Sequence, residues 1–262
     1  IMTSSMRFLL TNDDGICAQG LSSIKQALEE IGEVVVIAPV TEQSAVGHTI
    51  TLADPLKVIP IHRSGGFYGY GITGSPADCV KLGISCIMDP PPDLVVSGIN
   101  KGANVGINVL YSGTVSAATE ALILGHTGIA LSVDEYQHPD YRAASVFGAR
   151  LASCLASRQA PVPLALNVNC PSCPIHEVTG VKITRQGESR IVDKFVKRES
   201  PRGTIYYWQA GMTQIVDDGD DTDAVCLRKK MISITPIHYR LGYSLQDGEL
   251  NSLDLEGMLS GV

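Results

Sequence analysis

Arg7-Phe8-Leu9-Leu10-Thr11-Asn12-Asp13-Asp14-Gly15 is the stretch from which the rest of the chain can be read. Phe8 to Leu10 are a short apolar run with the signature of a buried strand, and Gly15 marks the turn that ends it. Two carboxylates side by side at a strand's end repel each other unless something positive lies between them. A divalent cation or an arginine is the usual answer. One acid could simply cap the helix that follows. Two acids behind Asn12 point instead to a site.

Downstream of the acids, Leu21, Ile24, Leu28 and Ile31 recur at helical spacing, with Gly32 where a helix would stop. Val34 to Ala38 is an unbroken apolar run, as expected of a parallel strand covered on both faces. Ser75-Pro76-Ala77-Asp78 reads as a helix start, with Ser75 as N-cap, Pro76 at the first helical position and Asp78 in the capping-box position. Pro90 to Pro92 block the chain before a strand at Leu94 to Val96. A helix from Gly113 to Leu124, a strand at Ile129 to Val133, a helix from Tyr141 to Leu155 and a strand at Leu164 to Val168 follow. This alternation predicts an α/β fold with a doubly wound, mostly parallel sheet.

Beyond it, Val181 to Thr184, Ile205 to Trp208 and Met231 to Thr235 are strand-like pieces split by polar loops. Residues 186–223 are too thin in apolar surface to form a core of their own and read as a β-hairpin arm. Residues 241–262 read as a C-terminal tail that packs on a partner. Both belong to one domain spanning residues 6–262, with residues 1–5 an unstructured leader or cloning remnant.

Composition bounds the function. The 262 residues are 44% hydrophobic and 18% charged, enough to bury a sizeable core. The formal net charge of −7 argues against a stable nucleic-acid complex, which calls for a basic face. It leaves room for a small anionic substrate where a metal or helix terminus makes the local field positive. The sequence carries no apolar stretch of membrane-spanning length. Seven cysteines, an odd number scattered through apolar segments, suit a reducing cytoplasm. Cys170 and Cys173 have CxxC spacing, but no second pair matches them for zinc.

In an open α/β sheet, ligands bind beyond the carboxyl ends of the strands. Asn12-Asp13-Asp14, Val40-Thr41-Glu42-Gln43-Ser44 and Ser97 to Asn104 each follow an expected strand, so all three are expected on one rim. They offer carboxylates, a hydroxyl and amides, an all-oxygen set that suits magnesium, manganese or calcium. Tyr111-Ser112-Gly113-Thr114-Val115 opens a helix with small residues, where free N–H groups, the dipole and two hydroxyls favour an anion. An ordinary N-cap by Ser112 is the plainer alternative. The lysine and glycine spacings of a Walker loop or dinucleotide fingerprint are absent.

Leu9 to Gly15, Gly74-Ser75-Pro76-Ala77-Asp78-Cys79-Val80, Ser97-Gly98-Ile99-Asn100 with Gly102 and Asn104, Tyr111 to Val115, and Ser233-Ile234-Thr235-Pro236 together resemble the SurE survival-protein family. The match runs in order from Met6 to about His238. The resemblance implies a Rossmann-like core and a divalent-metal-dependent phosphomonoesterase, a 5'-nucleotidase acting on nucleoside 5'-monophosphates, with 3'-monophosphates an open extension. It implies a homodimer or homotetramer with an exchanged, swapped C-terminal tail, and one Mg2+ or Mn2+ per subunit. Carried over by position, the metal ligands are Asp13, Asp14, Ser44 and Asn100, while Ser112, Gly113 and Thr114 fall where the family holds phosphate. Asp13, Asp14, Asn104 and His238 are the catalytic candidates, His238 as a proton donor to the leaving alkoxide. Lys101 is unexpected beside Asn100; it either adds positive charge near the substrate or points to solvent, the second being the preferred reading. Attack by water and attack by Asp13 through an aspartyl-phosphate both remain open, as does a non-catalytic stress-survival or scaffolding role on the same fold.

Overall fold

The computed structural model describes residues 6–157, 162–192, 194–211, 213–216 and 219–242. In chain order these form β1 (Met6–Thr11), α1 (Gln19–Glu29), β2 (Gly32–Pro39), β3 (Val58–Arg63), β4 (Gly66–Ile72), α2 (Pro76–Leu82), β5 (Leu94–Lys101), α3 (Gly113–Ile123) and β6 (Gly128–Val133). There follow α4 (Arg142–Ser157), β7 (Ala165–Cys170), β8 (Gly180–Ile183), β9 (Arg190–Ile191), β10 (Phe195–Glu199), β11 (Ile205–Gln209), β12 (Thr213–Gln214), α5 (Asp223–Arg228) and β13 (Met231–Ile237).

The central sheet has the order β3-β4-β2-β1-β5-β6-β7-β13-β8, mostly parallel, with β3 and β4 antiparallel at one edge and β13 antiparallel to β7 near the other. Strand alternation explains why the first apolar run is continuous. Phe8 and Leu10 join a core with Leu21, Ile24 and Leu28 of α1 and Ala144 and Ala152 of α4. Leu9, between them, points to the opposite face and packs with Cys79 and Val80 of α2 and Ala117 and Ala121 of α3. Both faces are covered, as a parallel sheet requires.

The chain runs from β1 to β2 on one side and returns to place β5 on the other side of β1. That reversal opens a crevice between the carboxyl ends of β1 and β5, the place where doubly wound folds take their ligands. The Asp13–Asp14 pair stands at its mouth.

Two boundaries differ from expectation, and some elements carry no periodic signal in the sequence. Gly32 opens β2 rather than closing α1, because a Cβ there would lie 2.3 Å from the Met6 carbonyl of the adjacent strand. β5 runs on through Lys101, so the Ser97–Lys101 segment is strand and not loop. The β3–β4 hairpin and α5 carry no clear period in sequence; the hairpin is an edge with Val58 and Ile59 exposed, and α5 is short. The 186–223 arm contains the expected hairpin, β10 with β11, and a second pair, β9 with β12. Residues 1–5 and all but the start of the 241–262 tail lie outside the described residues.

Candidate active site

Asn12 is fully buried and donates its Nδ2 to the Gly15 carbonyl at 3.0 Å, closing the turn after β1 and presenting the two acids at the rim. Asp13 is also buried. Its two carboxylate oxygens are gripped by the start of α3: Thr114 N–H donates to Oδ2 at 2.9 Å and the Thr114 hydroxyl donates to Oδ1 at 2.6 Å. The Asp13 carbonyl accepts from Gln43 N–H at 2.7 Å, which ties in the segment after β2. Gly113 lets this approach happen, since a Cβ there would sit 2.9 Å from the Asp13 Cβ.

A cavity of about 740 Å³ opens over these strand ends. Asp13, Asp14, Ser44, Asn100, Asn104 and Ser112 all line it. Gly113 and Thr114 lie behind the wall; Thr114 is fully buried, and its N–H and hydroxyl are spent on Asp13. Ser112 is the N-cap of α3, its Oγ accepting from Val115 N–H at 3.1 Å, which leaves its O–H free to donate elsewhere. Asn100 directs its Nδ2 to the Gly102 carbonyl at 2.8 Å, so the atom turned the other way is the Oδ1 acceptor. Asn104 is fixed from behind. Its N–H donates to Asn169 Oδ1, its carbonyl accepts from Asn167 and Asn169, and its Nδ2 reaches Ser132 Oγ at 2.9 Å.

Lys101 does not point to solvent. Its Nζ lies 3.5 Å from Asp14 Oδ1, 3.7 Å from Glu42 Oε2 and 5.3 Å from the centre of the Tyr136 ring. The register irregularity between Gly98 and Asn100 re-aims the end of β5 toward the acids. His238 goes elsewhere: it lines a second cavity together with His48, Lys81 and Glu120, and is not among the residues of the first. Tyr136, Asp134 and Arg228 line the first cavity without having been singled out in sequence. Arg228 arrives through α5, which is held to the site loop by Asp223, a buried carboxylate accepting from Gly106 and Gly187 N–H. Thr222 and Asp223 are residue types common at a helix start, the signal by which α5 could have been found.

The charge balance of this cavity is unfavourable without a further cation. Burial pushes the Asp13 carboxyl above its ordinary range, against the two Thr114 hydrogen bonds. Asp14 is pushed up to about 6, first by burial and then by the neighbouring Asp13 charge, with Lys101 only partly offsetting them. Lys101 in turn is held above its usual value, because Asp14 and Glu42 outweigh the opposing effect of burial.

The Survival protein SurE family model matches residues 8–193. The chain belongs to the SurE family. It is 50% identical to the 5'-nucleotidase SurE of Syntrophobacter fumaroxidans over 236 residues, covering 90% of this chain and 94% of that one. It is 47% identical to the 5'-nucleotidase SurE of Syntrophus aciditrophicus over 245 residues, covering 93% and 92%. The crystal structure of the Sure protein from Aquifex aeolicus superposes with a TM-score of 0.78 at 36% identity, over 90% of this chain and 94% of that one.

The SurE site has the donor chemistry that a hard divalent ion needs. Two mutually repelling carboxylates, Asp13 buried and Asp14 half-buried, share a cavity with a hydroxyl and an amide oxygen, and burial has already raised the cost of their charge. Among the described residues no group of three or more His, Cys, Asp or Glu could hold a metal. An ion here would therefore draw on neutral oxygens and water beside the two acids.

The grip of α3 on Asp13 gives a direct test. Thr114→Val keeps the shape but removes the hydroxyl donor, and is expected to lower turnover about fivefold to 150-fold, the equivalent of roughly 1–3 kcal/mol. Gly113→Ala should do the same by crowding Asp13, although alanine favours a helix by about 1 kcal/mol over glycine. Steady-state kinetics beside thermal melts check this. Activity that falls only in step with melting temperature would assign Thr114 and Gly113 to the fold alone.

Proposed function

We propose that this chain is a divalent-metal-dependent phosphomonoesterase that hydrolyses nucleoside 5'-monophosphates to nucleoside and phosphate. The observation that carries it is the Asp13–Asp14 pair at the sheet's switch point, Asp13 buried and Asp14 half-buried, facing a cavity beside the N-terminus of α3. The names of the relatives above support the 5'-nucleotide as substrate, with the 3'-nucleotide a second candidate for assay. Asp13, Asp14, Ser44 and Asn100 would hold one Mg2+ or Mn2+ per subunit as hard oxygen donors. When bound, the ion would polarise a phosphate oxygen and lower the pKa of water at the site.

This chain's own residues would then divide the work. Thr114 orients Asp13 from behind. Ser112 offers a hydroxyl donor, and the Gly113 turn at the helix start brings the positive end of the dipole toward the phosphate. Lys101, poised over Asp14, supplies a positive charge for the phosphoryl oxygens as their charge redistributes. Asn104, with its Nδ2 committed to Ser132, presents its Oδ1 to orient water. Attack by water and attack by Asp13 are told apart by oxygen-18 incorporation from solvent in a single turnover, since each Asp13 oxygen that accepts from Thr114 keeps a further lone pair. His238, on the second cavity, has no part in this scheme. Malachite-green assay of phosphate released from nucleoside 5'-monophosphates, with and without EDTA, tests the reading. Release that continues in metal-stripped protein, or no release with any metal, would overturn it, the second outcome favouring a non-catalytic stress-survival or scaffolding role.

Assembly and location belong to the same proposal. The β10–β11 hairpin exposes Phe195, Ile205, Tyr207 and Trp208, apolar surface that a second copy of the chain could cover in a homodimer or homotetramer. Light scattering across a dilution series is expected to show a dimer at least, with activity falling as it dissociates. A fully active monomer at micromolar concentration would refute this. No described helix is long and apolar enough to cross a membrane, and all seven cysteines are free thiols, which supports a cytoplasmic setting.

A further inference from the structure

Ser44 reaches the cavity on the segment that joins β2 to β3, residues 40–57, which has no regular structure of its own. Thr41, Glu42, Ser44, Ala45 and His48 are exposed, and Leu56 near the far end packs on the core. A long exposed connection with so little apolar cover is ordinarily among the least stable parts of a fold. This one is held by polar bonds from below. Gly47 N–H donates to the Tyr111 carbonyl at 3.0 Å, just ahead of Ser112. His48 Nε2 lies 2.7 Å from Glu120 Oε2, and Lys81 Nζ meets the other Glu120 oxygen at 2.9 Å. Ser75 Oγ donates to the Thr49 carbonyl, and Asp78 accepts both the N–H and the hydroxyl of Thr51, at 3.0 and 2.7 Å.

The anchoring side chains are buried while the segment is not: Asp78 is 2% exposed, Glu120 3% and Ser75 5%. Asp78 also closes the capping box of α2, so one carboxylate serves both the helix start and the segment. Glu120 lies on α3, the helix whose first turn grips Asp13. One helix thus fixes Asp13 through Thr114 and the Ser44 segment through Glu120, setting two oxygen donors of the cavity against a common frame.

We propose that Glu120 and Asp78 are positioning residues, two buried carboxylates that clamp residues 47–51 and thereby set where Ser44 stands relative to Asp13 and Asp14. This rests on the reading of Ser44 as a metal ligand. The links at His48 and Thr51 follow directly on the turn at Ala45 and Gly47, both at positive φ, so a slack clamp would be passed through that turn to Ser44.

Mn2+ binding to the full-length chain, followed by the loss of the free-ion EPR signal, tests the proposal without recourse to turnover. His48→Ala, a change at a side chain one-third exposed, is expected to weaken Mn2+ binding about tenfold, as is Glu120→Gln; this is the low end of what supporting partners of metal ligands usually contribute. Thr51→Val should act in the same direction. The deciding measurement is the cycle with Ser44→Ala: once Ser44 is gone, His48→Ala should cost nothing more. Wild-type Mn2+ affinity in His48→Ala, or losses that simply add in the double variant, would overturn the clamp and leave the site reading standing. Wild-type affinity in Ser44→Ala alone would overturn both, by removing Ser44 from the metal site.

Discussion

Asp13→Asn is expected to lower turnover about a thousandfold, the scale seen when a preorganised group at a reacting centre is removed. The geometry explains why so conservative a change should be so damaging. The carboxylate accepts from Thr114 at both oxygens, whereas an asparagine that keeps its one oxygen on the Thr114 N–H sets its amide against the Thr114 hydroxyl, which must turn over from donor to acceptor. The variant loses a unit of ligand charge and the arrangement that aims it. Stability should change far less than activity. The Thr114 hydroxyl can turn to accept from the new amide, and removing a carboxylate that burial already disfavours favours the fold. Initial rates under saturating Mn2+, with circular-dichroism melts on the same samples, decide the matter. A rate within tenfold of the native protein would take Asp13 out of the site.

Removal of the metal is expected to abolish activity and to expose a stability defect with a definite pH dependence. Asp14 in the metal-free fold titrates near 6 against an ordinary value of 3.8. At pH below both values it is protonated in the folded and unfolded states and costs nothing. As pH rises from about 4 to about 6, the unfolded chain releases its proton while the fold retains it, so stability falls through that window. Above it the full cost is present. Burial moves Asp13 the same way and steepens the slope. Urea unfolding of the metal-free protein at mildly acidic and neutral pH should therefore show lower stability at neutral pH. Asp14→Asn should flatten the difference, and added Mn2+ should raise the neutral-pH midpoint of the native protein and not of the variant. An Asp14→Asn chain less stable than the native one at neutral pH, both without metal, would contradict the charge balance described for this cavity.

Much of this was legible in the residues. The Phe8–Leu10 run was readable as a two-faced strand because burial on both sides demands continuous apolar residues, and these side chains alternate between the two cores. The start of α2 was readable in full, since Ser75, Pro76 and Asp78 each act within a few residues of one another. The β3–β4 hairpin was not, because its outer edge is exposed and its run of glycines and aromatics carries no clean alternation. Nor was α5, too short for a helical period to declare itself.

For the site, sequence alone determined which chemical groups are on hand: adjacent acids after a strand, oxygen donors after two more strands, small hydroxyl residues at a helix start. Each of those is a local fact. What each group faces was decided only by the tertiary structure. Lys101 turns to Asp14 because an irregularity in β5 re-aims the strand's end, a change of one residue in register that composition does not record. His238 and Glu120 both line the far cavity, and Glu120 finds His48 and Lys81 from two other parts of the chain. Thr114 and Asp13 lie 101 residues apart. A hydrogen bond reaches only about 3 Å, so its partner is whichever group packing brings that close, and packing is a property of the whole sheet and its helices rather than of any stretch within it.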